Sequence, residues 1–230
     1  MTWHVTADPE RFEEALAWFR SRFPVTDEIL DALGDYATER AWRVAGVAQL
    51  DVVLDVFREL ERAIETGATM REFRKSVGVK LAEAWGKSNA HRIETIYLTN
   101  LQKAYNAGRW RQVNDPQVAR TRPYLMFDAI LDSRTSDICK KRNGTVLLRE
   151  DPWWHSNMPP LHHRCRSTVR SLRAREAERY GISGEPPRGD DPAPGFGMPP
   201  TAEPPFAPDP SKYPDKLFQI YAAKQAARSR

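Results

Sequence analysis

The stretch PPLHHRCRS, Pro159 to Ser167, holds two of the chain's five histidines and one of its two cysteines, together with two arginines. Such side chains serve four chemistries: a metal site, a thiol nucleophile, half of a disulfide, or a clamp on phosphate oxygens. His162 and Cys165 stand in H-x-x-C spacing, which lets an imidazole nitrogen and a thiolate reach one ion from a single tight turn. Cys139 lies 26 residues before Cys165, and Asp132 ends the apolar run that precedes it. The Asn143-Gly144 pair between them is a hairpin signal that folds the chain back, so Asp132, Cys139, His162 and Cys165 form a candidate tetrahedral set. Zinc suits it best, because it accepts sulfur, nitrogen and oxygen ligands and imposes no geometry of its own. Two other readings stay open: a Cys139–Cys165 disulfide if the mature particle lives outside the cell, and a catalytic cysteine, for which no base or oxyanion donor is identifiable nearby.

The elements that must position these residues change character along the chain. The first hundred residues read as helices in series. Asp8 caps the first, Pro9 occupies its first turn, and Phe12, Ala15, Leu16, Phe19 and Phe23 follow at helical spacing until Pro24. Residues 26–45 and 49–66 give two further periodic stretches, the second ending at Gly67. Thr69-Met70-Arg71-Glu72 has the form of a capping box, opening a helix that turns Phe73, Val77, Leu81 and Trp85 inward, and Ser88 is the expected cap of a fifth. After Pro116 the pattern shortens. YLMFDAILD (124–132), the segment after Asn143-Gly144 and Ser167 to Leu172 read as three short strands. From Gly184 the proline density excludes regular pairing and predicts an extended arm, closed by a short amphipathic helix within KYPDKLFQIYAAKQAARSR. The expected fold class is therefore α+β: a mainly helical region (1–87), a small α+β metal-stabilised module (88–180) and a proline-rich C-terminal arm (181–230). With so little apolar area in the module, a metal tying a strand end to a turn would supply much of its stability.

At 230 residues the chain can bury a core without disulfide help. The start, MTWHVTADPE, lacks the basic and apolar regions of a signal peptide, and no later apolar run approaches the roughly 20 residues of a membrane span. The expectation is a soluble, unsecreted chain. Its net charge of +4 hides an asymmetry, since residues 1–86 carry −5, residues 87–179 carry +9 and the remainder is neutral. A positive middle segment favours anionic partners, nucleic acid first. Arg164, Arg166, Arg170, Arg173 and Arg175 cluster around and after the proposed metal turn, where guanidinium forks can hold phosphate oxygens without reading bases.

Three motifs in order, HRIETIYLTNLQKAYNAGR (91–109), DAILDSRTSDICKKRNGTV (128–146) and PPLHHRCRSTV (159–169), resemble the phage Mu protein F-like (MuF) minor head protein family. The tail GFGMPPTAEPPFAPDPSKYP (195–214) is similar to the ending of Mu-type members. The resemblance implies a virion component: a minor capsid or head morphogenesis protein made beside the portal protein, acting in head assembly and DNA packaging or delivery. It implies a location in the phage head, and in the bacterial host cytoplasm during assembly. It implies no enzyme. The family's metal pattern maps onto Asp132, Cys139, His162 and Cys165, while His155 and His163 match no motif position. Many members end the motif in C-R-C, where this chain has Ser167, so any scheme needing that last thiolate fails and the metal depends more on Asp132.

The function expected is thus binding, with a structural zinc, portal and other head proteins as partners, and non-specific phosphate contacts to DNA. The alternative is a metal-dependent hydrolase or nuclease, distinguished at one coordination position. With Asp132 outside bonding distance, three protein ligands and water leave Asp132, His155 or His163 as base, as in catalytic zinc sites. A host-directed toxin would need an additional effector domain, which the sequence does not display.

Overall fold

The computed structural model describes residues 12–33, 41–87 and 89–200. About half of them are helical, and two small sheets complete an α+β fold.

Helix α1 (Glu13–Arg20) buries Ala15, Leu16 and Phe19, as its spacing predicts; the expected cap at Asp8 lies outside the described residues. Phe23 does not continue that helix. It begins β1 (Phe23–Pro24), which pairs in parallel with β2 (Ala41–Trp42), and α2 (Asp27–Leu33) comes between them in sequence. A single helical stretch over 26–45 is therefore not what forms, because residues 41 and 42 are strand. Non-local partners decide it: Val25 N–H donates to Trp42 O, the Trp42 indole meets Phe57 edge-on at 5.3 Å, and its Nε1–H donates to Asn100 Oδ1.

Local signals hold better further on. Helix α3 (Leu50–Thr66) turns Val53, Val56, Phe57, Leu60, Ala63 and Ile64 inward and ends at Gly67, whose φ of 70° favours a residue without a Cβ. Helix α4 (Met70–Ala84) opens with the predicted capping box, in which Thr69 and Glu72 satisfy each other's backbone N–H groups. Helix α5 (Ala90–Val113) is capped by Asn89, whose side chain accepts from Arg92 N–H; Ser88, the expected cap, lies outside the described residues. Helices α1, α3 and α4 close a core around α5, with Phe19 stacked on Phe57 at 4.5 Å and Phe73 against Tyr97 at 5.4 Å.

The far half of α5 carries the second layer. After α6 (Pro116–Thr121), capped by Asp115, a three-stranded antiparallel sheet forms in the order β4-β3-β5, from β3 (Tyr124–Asp128), β4 (Val146–Leu148) and β5 (Thr168–Leu172). The strand expected over 124–132 stops at Asp128: Ala129 N–H turns to Asn143 Oδ1, and Ile130 and Leu131 are exposed. The connection to β4 holds α7 (Asp137–Arg142), so Asn143-Gly144 turns a helix into a strand and does not close a two-residue hairpin. Two further short helices follow, α8 (Trp154–Asn157) and, after β5, α9 (Ala174–Tyr180). Leu125, Phe127, Trp154, Met158, Leu161 and Val169 form the core here.

Residues 184–200 of the proline-rich stretch lie on this layer. Ala193 N–H donates to Leu161 O, Gly197 N–H to Pro160 O, and Met158 N–H to Gly197 O. Phe196 is buried, edge-on to His163 and under the Lys103 ammonium. The expected terminal amphipathic helix lies outside the described residues. No described helix is long and apolar enough to cross a membrane.

Candidate metal centre

Cys139 sits in the middle of α7, and the buried Arg142 one turn later anchors that helix. Its guanidinium donates to Asn157 Oδ1, Ile138 O, Gly189 O and Asp190 O, joining α7 to α8 and to the proline-rich stretch. His162 and Cys165 come from the loop between α8 and β5, which α5 holds. Arg164 N–H donates to Thr99 Oγ1, and Ser167 O accepts from Gln102 Nε2 and Asn106 Nδ2. Thr99, Gln102, Asn106 and Arg109 are spaced to share one face of α5, and Arg109 Nε–H reaches Val169 O. This polar stripe is the part of the site that the sequence reading missed. Its signal was present in TNLQKAYNAGR, as polar side chains at helical intervals facing inward.

The ligand atoms of Cys139, His162 and Cys165 all lie within 4.8 Å of one another. Cys139 Sγ is 3.4 Å from His162 Nε2 and 3.7 Å from Cys165 Sγ. A tetrahedral zinc with ordinary bond lengths separates a sulfur from a nitrogen by about 3.6 Å and two sulfurs by about 3.8 Å, so the spacing fits such an ion. Both thiols are free and buried; a disulfide would need the sulfurs at about 2.05 Å. His162 Nδ1 faces His163 O at 2.8 Å, and because a carbonyl only accepts, Nδ1 carries a proton and Nε2 is the ring nitrogen on the side of the two sulfurs.

Hydrogen bonding sets the charge states. Cys165 donates to Cys139, and His162, Ser136 and Ser167 add to that, lowering the Cys139 pKa against the effect of burial. The same bond to Cys139, with burial, pushes the Cys165 thiol up. The interaction with Cys139 raises His162, burial opposing it. A divalent cation held here would take Cys139 as the readier thiolate and would require Cys165 to give up its proton, so binding would release protons.

Asp132, expected as the fourth ligand, is outside this group. Both its oxygens are taken by Arg166, Nη1 reaching Oδ2 at 2.7 Å, and this pairing holds the Asp132 carboxyl far below the ordinary range. The polar side chains beside the three ligands are Ser136, whose Oγ lies 2.7 Å from His162 Nε2, and Ser167. His155 and His163 do not join: His163 stacks edge-on against Phe196 at 4.9 Å, and His155 is exposed on α8.

The five arginines named as phosphate contacts also separate. Arg164, at a φ of 60°, pairs with Glu94 at 2.9 Å and meets His91, and Arg166 is occupied by Asp132. Arg170 packs over Tyr180, 3.9 Å from Asp128. Arg173 and Arg175 are exposed at the start of α9.

Residues 55–170 match the model of a family described as Phage Mu protein F like protein. The chain is 32% identical over 188 residues to the "Putative capsid assembly protein F" of Escherichia phage Mu, across 74% of this chain and 42% of that protein. It is 29% identical over 159 residues to the "Mu-like prophage FluMu F protein" of Haemophilus influenzae, across 64% of this chain and 38% of that one. It thus spans about two fifths of the length of the curated relatives it matches. No solved structure matches it. The family match takes in half of the sequence, runs from α3 into β5 and covers Cys139, His162 and Cys165 with the helix that holds them: the chain belongs to the phage Mu protein F-like family.

Proposed function

We propose that this chain is a component of a phage head, acting in capsid assembly by binding and not by turnover, with a structural zinc held by Cys139, His162 and Cys165. The observation that carries the head assignment is the match to a protein called a putative capsid assembly protein. The spacing of the three ligand atoms supports the zinc. Bound there, the ion ties α7 to the loop before β5 and so fixes a layer whose sheet has only three strands. In this reading the helical region, residues 1–87, makes protein contacts; the basic module, 88–180, faces packaged DNA; and the arm, 181–230, tethers the chain to the portal. Purified portal from the same phage tests the tether. It should retain the full chain and release a version lacking 195–230; equal failure to retain either removes support for it.

One observation favours a second reading, a metal-dependent hydrolase or nuclease. Three protein ligands with a fourth position open is the arrangement of catalytic zinc. Against it, Asp132 is locked by Arg166, His163 is packed on Phe196, and His155 is exposed on α8 outside the ligand group. Metal analysis and a nuclease assay on wild type and His162→Ala separate the two. A lowered melting temperature with no cleavage by the wild type supports the scaffold, and loss of cleavage in a folded variant supports the enzyme.

A further inference from the structure

A cleft of about 570 Å³ opens between β5, α9 and the ends of α5 and α6. Its lining includes Arg109, Arg122, Arg170 and Arg179, with Glu176 the single carboxylate and Tyr180 beside them. Four guanidinium groups against one carboxylate leave the cleft with a net positive charge of three.

The four arginines differ in how far the fold uses them. Arg122 is committed, donating to Ser171 O and to Glu176 Oε2, and it serves as a wall. Arg109 donates through Nε to Val169 O. Arg170 leans over the Tyr180 ring, with Asp128 at the edge of ion-pair range. Arg179 is exposed and has no ion-pair partner among the described residues. Tyr180 is 54% exposed, presenting an aromatic face next to the guanidinium groups.

Phosphate oxygens match guanidinium forks, and a planar base matches an exposed aromatic ring; an acidic peptide would use the first feature and leave the second idle. We propose that this cleft binds the sugar-phosphate backbone of a nucleic-acid strand, with Arg109, Arg170 and Arg179 taking phosphate oxygens and Tyr180 stacking on a base. The proposal rests on the reading of the basic module as facing nucleic acid, and it moves the contact. Of the five arginines singled out by their sequence clustering, only Arg170 lines the cleft, while Arg164 and Arg166 are spent on Glu94 and Asp132.

The test is fluorescence anisotropy of the full chain with labelled random-sequence 20-mers, single-stranded and duplex, over a series of salt concentrations. Arg179→Ala should reduce the slope of log affinity against log salt by about 1. Tyr180→Ala should weaken single-strand binding about 5-fold or more while leaving that slope unchanged. Arg188→Ala, which removes an exposed arginine outside the cleft, should change neither. Equal losses from Arg179→Ala and Arg188→Ala would overturn the cleft in favour of diffuse charge. Displacement of the probe by polyglutamate, with the same dependence on Arg179, would replace nucleic acid by an acidic protein partner. Binding by the wild type that ignores both Arg179 and Tyr180 overturns the cleft alone; no binding by the wild type overturns the underlying reading.

Discussion

Stripping the metal centre should lower the melting temperature of the protein without unfolding it. A free divalent ion held 100- to 1,000-fold above its dissociation constant stabilises the folded state by about 2.7–4.1 kcal/mol. For a chain of this size each kcal/mol is worth about 2–4 °C, so saturation against chelation should read as roughly 5–16 °C. The structure says why the loss stops there. Leu125, Phe127, Trp154, Met158, Leu161 and Val169 are buried around the centre, each contributing on the order of 1.5–3 kcal/mol, and the loop is held from α5 by Thr99, Gln102 and Asn106 whether or not an ion is present. A classical zinc finger has no such independent core and unfolds without its metal. The assay is scanning calorimetry of protein refolded with excess EDTA or with buffered zinc, beside near-ultraviolet circular dichroism to follow the buried Trp154. Cys139→Ser combined with Cys165→Ala should melt near the chelated wild type and ignore zinc. Identical melting of the wild type in EDTA and in zinc, or an equal zinc shift in the double variant, would refute the centre.

Gly108→Ala should destabilise the protein by about 1–3 kcal/mol in denaturant melts, although alanine is the better helix former, because the added Cβ would lie 2.7 Å from Ala15 N and 2.8 Å from the Phe12 ring. A stabilised variant would mean that α1 does not lie against α5 as described. Arg142→Met should cost about 3–5 kcal/mol by leaving Asn157 Oδ1 and the carbonyls of Gly189 and Asp190 without their donor, and should raise proteolysis within 184–200; unchanged protection of that stretch would show that other contacts hold it. Asp132 has a lowered pKa in the folded chain, so its pairing with Arg166 contributes fully above the unfolded value of 3.8 and is lost as pH falls through the folded one. Asp132→Asn should therefore flatten the acid limb of the stability profile below about pH 4 and leave zinc affinity within a few fold. A large loss of zinc affinity would instead return Asp132 to the metal.

Some of this protein was legible from its residues alone, because the responsible interactions reach only three or four positions along the chain. The Thr69–Glu72 capping box, the left-handed stop at Gly67 and the apolar stripe of α3 are of that kind. So is the H-x-x-C spacing of His162 and Cys165, which a single turn brings together, whereas Cys139, 26 residues before Cys165, meets them only in the folded chain. Tertiary structure decided the rest. Asp132 and Arg166 are 34 residues apart, and only the folded chain puts a guanidinium fork in front of the carboxylate, where it engages both oxygens. Trp42 carries helical periodicity in its neighbourhood but becomes strand because Val25, Phe57 and Asn100, all distant in sequence, complete its bonding. Residues 184–200 look too rich in proline to pack, yet their few remaining backbone donors and acceptors find Leu161, Pro160 and Met158 across the loop. The basic cleft is invisible in sequence for the same reason: Arg109, Arg122, Arg170 and Arg179 come from four elements, and only the sheet and helices that separate them in the chain bring them to one opening.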